Sequence, residues 1–256
     1  MGVDTIEGHL YADLSMKDTK QYGEGWCWDD KNPVLTPLLF SGKDIFMARF
    51  LDALVAHGIY VDANIDEKRK PADAFCIVNR FHTIDQILMR MLKESNNLYA
   101  EAMYYQIAAS TGNHPASARS ARAVERRLVD KIGLDASRYK FADGSGLSLY
   151  NYVSAELEVK MLRYAYKNEN IRHQLMPALP IAGVDGTLKK RMKGSFTRDN
   201  VKAKTGTLTG ISSLAGYCQA ANGHTLCFAI INQGVMHGRN GRAFQDRVCT
   251  ILCAPN

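Results

Sequence analysis

Apolar positions recur at helical spacing in several segments between residues 45 and 166 and alternate in segments of the last third of the chain. Phe46, Phe50, Leu51 and Leu54 form a helical stripe within residues 45–57, and Gly58 follows as a left-handed stop. Thr83 and Gln86 have capping-box spacing, and Ile84, Ile87, Leu88, Met91 and Leu92 make the apolar face behind them. The polar run 93–97 interrupts that face before Leu98, Met103, Ile107 and Ala108 resume it, so two helical segments flank a polar corner. Further helices are predicted over 117–132, stopped by Gly133, and from Ser154 to about Tyr166. A last helix over 242–252 should turn Phe244, Val248, Ile251 and Leu252 inward.

Segments 201–208, 212–220 and 225–232 read as strands, and Asn222-Gly223 predicts a two-residue hairpin loop between the last two. Counting outward from that loop sets Cys218 opposite Cys227 in a non-hydrogen-bonded pair, a geometry compatible with a disulfide or with two reduced strand residues. Residues 59–61 and 75–78 are also strand-like, separated by the charged stretch 66–70. Before about Asp44 the chain is irregular, punctuated by Gly23, Gly25, Asp29-Asp30, Asn32-Pro33 and Pro37. Helices first and an antiparallel ladder later argue for an α+β fold.

Composition narrows the function classes only a little. Hydrophobic residues at 46% suffice for a large core, and no apolar run approaches the roughly 18 residues of a membrane span. The net charge of +6 is a mild bias toward anionic polymers, but no nucleic-acid recognition motif accompanies it. Arg119, Arg122, Arg126 and Arg127 on the 117–132 helix read as a solvated basic face. The six cysteines lack metal-type spacing, so neither a metal site nor a disulfide framework is indicated.

Four short strings carry the chemistry. Lys204-Thr205-Gly206 sits inside a predicted strand and Ser95-Asn96-Asn97 at the helix corner; residues 143–148 (Asp-Gly-Ser-Gly-Leu-Ser) and 183–188 (Gly-Val-Asp-Gly-Thr-Leu) fall in loops between them. Each has a plainer structural reading. Ser95 and Asn97 could cap the helix near Leu98, Thr205 could be an ordinary strand residue, Lys204 an edge charge, and Asp143 and Ser145 turn-fixing residues.

Taken in order, these strings resemble the class C low-molecular-mass penicillin-binding proteins, the D-alanyl-D-alanine carboxypeptidase/endopeptidase family, over most of the chain from about Thr83. The resemblance implies an antiparallel sheet flanked by helices, the penicillin-binding/β-lactamase-like fold. It divides the chain into residues 1–80, strands and one helix preceding the Ser-x-Asn segment, and residues 81–256, the main part of the peptidase domain. Peptidoglycan stem peptides and β-lactams are its implied partners, the bacterial periplasm or cell envelope its compartment, and it implies no cofactor. Lys204, Thr205 and Thr207 would hold and orient a substrate carboxylate, because a cation with flanking hydroxyls is what such a terminus needs. Gly206 would admit a substrate backbone alongside the strand. Ser95 would relay a proton, Asn97 would bond the substrate amide carbonyl, and the Thr207 N–H would form half of an oxyanion hole.

A nucleophilic Ser-x-x-Lys at the start of a buried helix should precede Ser95 in this family. The one match in the chain, Ser137 with Lys140, comes after Ser95 and reads as loop. The expectation is therefore a chain that begins downstream of the nucleophile, with residues 6–13 resembling a strand well inside a longer protein; a binding protein without the nucleophile is the alternative. A β-lactamase or esterase built on the same motifs also stays open.

Overall fold

The computed structural model describes residues 2–27 and 34–255; the turn signals Asp29-Asp30 and Asn32-Pro33 lie outside them. Strand β1 (Thr5–Ala12) runs parallel to β2 (Tyr60–Glu67), in register from Thr5 opposite Tyr60 to Ala12 opposite Glu67. Helix α1 (Phe46–Ala56) makes the crossover. β2 thus extends into the charged stretch that the sequence assigns to a loop. Residues 75–78 form no strand: Phe75, Ile77 and Val78 stand exposed without ladder partners among the described residues. β-propensity alone does not hold a strand that has no edge to pair with and no face to bury.

The helical layer follows the polar punctuation closely. Thr83 and Gln86 cap each other reciprocally at the start of α2 (Ile84–Leu88), which widens into a π-helical turn (Met89–Lys93) before the corner and α3 (Asn97–Ala109). Helix α4 (Ala118–Lys131), capped by Ser117, packs on α3 around Tyr104, Tyr105, Ala108 and Ala121, with Leu35 and Trp26 from the irregular segment joining them. Arg119, Arg126 and Arg127 are solvated as expected, whereas Arg122 is half-buried and ion-paired with Glu24 at 2.7 Å. Ser154 caps α5 (Ala155–Lys167). A second helix, α6 (Glu169–Ala178), was not legible: Asn168 ends α5 and caps α6 at once, so no loop separates them.

Strands β3 (Lys202–Leu208), β4 (Ile211–Gln219) and β5 (Thr225–Gln233) form an antiparallel sheet with β4 in the middle. Helix α7 (Gly238–Cys253) covers one face and α5 the other. The principal core lies under α7 and includes Leu188, Val201, Ala203, Leu214, Cys218, Phe228 and Cys249.

Two expectations fail here for identifiable reasons. The β4–β5 loop holds three residues, because Ala220 and His224 close it and Gly223 takes a left-handed φ of +82°. The extra residue shifts the register by one, so Cys218 faces Leu226 and Cys227 faces Tyr217, on opposite sides of the sheet. Cys76, Cys218, Cys227, Cys249 and Cys253 are free thiols. The inward face of α7 is Gly241, Gln245, Cys249 and Cys253, while Phe244 and Ile251 are exposed. Gly241 permits close approach, since a Cβ there would come within 2.9 Å of the Ser212 side chain. Gln245 is tolerated inside because its amide donates to Ser212 Oγ (3.0 Å) and Asn232 Oδ1 (3.1 Å) and accepts from Arg191 (3.0 Å).

Candidate active site

The polar corner is held in a conformation that a chain adopts only under constraint. Ser95 has φ +55°, in the left-handed region where a non-glycine residue is strained. Two residues before it, Lys93 is buried and pairs with Asp185 at 2.5 Å; the other oxygen of Asp185 accepts the Ile181 N–H at 2.8 Å. Gly186 follows with φ +53°, and a Cβ there would meet the Lys93 carbonyl oxygen at 2.8 Å. The 183–188 loop is thus clamped onto the corner by a buried ion pair and by backbone contact that only glycine allows. Neither Ser95 nor Asn97 caps α3. That role falls to Asn96, whose side chain accepts the Tyr99 N–H at 3.3 Å. Ser95 and Asn97 are left half-exposed, and the Asn97 carboxamide has no hydrogen bond among the described residues.

Strand β3 meets this corner from the other side. Lys204 Nζ donates to Ser95 Oγ at 2.8 Å and to the Thr205 carbonyl at 2.7 Å, joining residues 109 positions apart. Burial drives the Lys204 ammonium down from its ordinary value to about 8, because the two neutral acceptors do not make up for the hydration a desolvated cation loses. Thr205 Oγ1 donates to Thr187 Oγ1 at 3.0 Å, bringing in the turn Gly186–Leu188. The outer edge of β3 is occupied only at its start, where the Ala203 N–H bonds the Pro180 carbonyl at 3.0 Å. By strand alternation the N–H groups of Thr205 and Thr207 point to the same edge, and they have no partner there among the described residues. Thr207 is exposed on this edge. Gly206 has a local reason as well, since a Cβ there would lie 2.3 Å from Ser213 Oγ on β4.

The 143–148 loop packs on α3. The Asp143 carboxylate accepts from the Gly146 N–H (2.8 Å), the Ser148 N–H (2.7 Å), the Asn151 amide (2.8 Å) and the Trp26 indole (2.8 Å), which makes it a turn-fixing hub. Glu101 on α3, buried at 2% exposure, accepts the N–H groups of Gly144 (3.1 Å) and Ser145 (2.7 Å) and so ties the loop to the helix that Asn97 begins. Desolvation raises its carboxyl pKa. Glu101, Lys93 and Asp185 were not singled out from sequence; the only signal for the last two was their place inside the motif strings.

Ser137 lies far from this arrangement in character. It sits exposed on a short 3₁₀ turn (Ala136–Arg138), and Lys140 is engaged by Glu24 at 3.0 Å. Among the described residues no Ser-x-x-Lys helix enters the cleft.

What the arrangement offers is a desolvated amine and a hydroxyl in contact, a free carboxamide, and an open strand edge with unpaired amides. The profile of the D-Ala-D-Ala carboxypeptidase 3 (S13) family matches residues 39–253. The chain belongs to this family. Among curated S13-type relatives it is 34% identical over 157 residues to the D-alanyl-D-alanine carboxypeptidase DacB of Haemophilus influenzae, covering 60% of this chain and 33% of the relative. It is likewise 34% identical over 212 residues to a D-alanyl-D-alanine carboxypeptidase of Actinomadura sp., covering 79% of this chain and 39% of the other. The chain therefore spans about a third to two fifths of these relatives' length. The crystal structure of penicillin-binding protein 4 (dacB) from Haemophilus influenzae complexed with a β-lactam superposes with a TM-score of 0.72 at 28% identity, over 86% of this chain and 53% of that one. The α+β, penicillin-binding-protein fold is thereby shown. Among the described residues no helix is long and apolar enough to cross a membrane.

Proposed function

We propose that this S13-family chain supplies the carboxylate-binding and proton-relay half of a serine-type D-Ala-D-Ala carboxypeptidase/endopeptidase centre in the bacterial cell envelope. Its substrates in this reading are peptidoglycan stem peptides, and β-lactams enter as their mimics. The observation that carries it is the contact of Lys204 Nζ with Ser95 Oγ at 2.8 Å on an open strand edge. A peptide ending in D-Ala would add along β3, its backbone meeting the free N–H groups of Thr205 and Thr207 and its carboxylate meeting the Lys204 ammonium and Thr205 hydroxyl. Asn97 would take the penultimate amide carbonyl. Ser95, touching Lys204, is placed to pass a proton to a departing amine.

Binding of a diacylated Lys-D-Ala-D-Ala peptide, followed by calorimetry or NMR, tests the reading. The free acid should bind saturably at pH 7, and its C-terminal amide or the Lys204→Met variant should lower affinity about 10-fold or more, the value of one lost charge-assisted bond. Affinity should fall as pH rises through about 8, where Lys204 loses its charge. Equal binding of acid and amide would overturn the assignment.

A further inference from the structure

The relay reading leaves unused the fact that Ser95 and Lys204 together have the parts of a nucleophilic pair. Ser95 Oγ is 2.8 Å from an amine that has no carboxylate partner among the described residues, and the serine is half-exposed, within reach of a small reagent. It occupies a strained left-handed position, φ +55°, directly ahead of a 13-residue helix. Sharp, strained turns of this kind present nucleophilic serines elsewhere because they lift the hydroxyl clear of the backbone. Only the Tyr99 N–H of the first turn of α3 is capped by a side chain, and the unbonded Asn97 carboxamide stands on the same corner, so donors for a developing oxyanion are at hand. The clamp of Lys93 on Asp185, at 2.5 Å, ties this corner to the 183–188 loop, and that loop meets β3 through Thr187 Oγ1 and Thr205 Oγ1 at 3.0 Å, which keeps the pair in contact.

We propose that Ser95 and Lys204 form an acyl-transfer centre of their own, acting on small activated carboxylic esters independently of any Ser-x-x-Lys serine. The neutral Lys204 amine takes the Ser95 Oγ proton as Oγ bonds to the ester carbonyl carbon. The carbonyl carbon–alkoxide or –phenoxide bond then breaks, the anion leaves, and Lys204 gives the proton it took to that anion or to solvent, so that the amine is neutral again. Water, deprotonated by Lys204, next attacks the acyl-serine ester, and the carboxylate departs with Ser95 regaining its proton. No oxidant, metal or further co-reactant is needed.

The charged groups on the elements around the pair leave Lys204 to act as the base. Lys93 and Asp185 are bonded to each other, Glu94 to Arg90 at 2.6 Å, and the β4 residue opposite Lys204 is Ala215. Burial lowers the amine to about 8, so the basic form is accessible in mild alkali. Carboxylate binding and ester turnover therefore respond to the same titration with opposite sign: the first fades above pH 8 and the second grows.

The test is p-nitrophenyl acetate with the whole chain across pH 6.5–9.5, with mass mapping of the acetylated protein. We expect p-nitrophenolate release that rises through about pH 8, an acetyl group on the peptide containing Ser95, and loss of about 100-fold or more in Ser95→Ala and Lys204→Arg. Ser137→Ala should match the parent. The mapping uses the unaltered protein, so it decides the question even if a variant fails to fold. Acetyl found on Lys204 Nζ, on Ser137 or only scattered over surface lysines would overturn the proposal, as would undiminished release by a folded Ser95→Ala variant. Peptide binding is measured separately, so failure here leaves the carboxylate-binding reading standing.

Discussion

The two sheets of this protein are built from similar sequence patterns and end in different physical states. Along β3–β5, Ala203 and Leu214 are fully buried, and helices cover both faces. The β1–β2 pair is parallel, an arrangement usually buried on both sides, yet α1 contributes no buried residue, and Val55, Tyr60 and Ile65 are 62%, 65% and 43% exposed. Periodicity is sufficient to make a helix or a strand amphipathic. Depth depends on how many other elements converge on the same face, and only the C-terminal sheet has several. The candidate site sits on that dense side, where a strained serine and a desolvated lysine can be held; the thin side has no comparable means of holding such groups.

The contrast can be broken most directly by core truncation. Leu214→Ala should cost about 2–5 kcal/mol, and Val55→Ser should stay within about 0.5 kcal/mol, read from urea midpoints. Equal losses would mean that the thin side is as tightly packed as the dense one.

The next effect concerns the clamp. Asp185→Asn leaves the Lys93 cation buried with a weaker partner and should cost about 2 kcal/mol, below the range for fully buried pairs because Asp185 is 38% exposed. The exposed Arg90–Glu94 pair on the preceding turn serves as comparison: Glu94→Gln should change stability by less than about 0.5 kcal/mol. Asp185→Asn should also weaken peptide binding, whereas Glu94→Gln should not. Matching behaviour of the two variants would deny the clamp its positioning role.

The smallest effect sharpens the comparison from inside the dense region. Lys204 keeps its proton to about 10.5 when unfolded but loses it at about 8 when folded, so between those values the unfolded state binds more protons and stability rises with pH. Below pH 8 the protein carries the full cost of a desolvated cation. Lys204→Met should therefore raise stability at pH 7 by about 1–2 kcal/mol, discounted for partial solvent access, and the gain should shrink toward pH 10. A loss of stability in the variant at pH 7, or a gain that grows with pH, would contradict the burial argument.

Much of the fold was readable because its signals are local. The capping box at Thr83 and Gln86, the caps at Ser117 and Ser154, and the alternation through β3–β5 each depend on residues a few positions apart. The motif strings by themselves place Lys204 on a strand and Ser95 at a corner. The failures share one cause: they depend on which partner a segment meets. Residues 75–78 have the composition of a strand and no edge to join. The inward face of α7 was chosen by Gly241 and by the polar partners of Gln245, not by the most apolar stripe. One residue more in the β4–β5 loop separated Cys218 from Cys227. The contact of Lys204 with Ser95, the clamp of Lys93 on Asp185 and the tie from Glu101 to the 143–148 loop were likewise decided by tertiary structure. Each unites charged or polar groups tens of residues apart, and the burial that sets their strength exists only once the chain has closed around them.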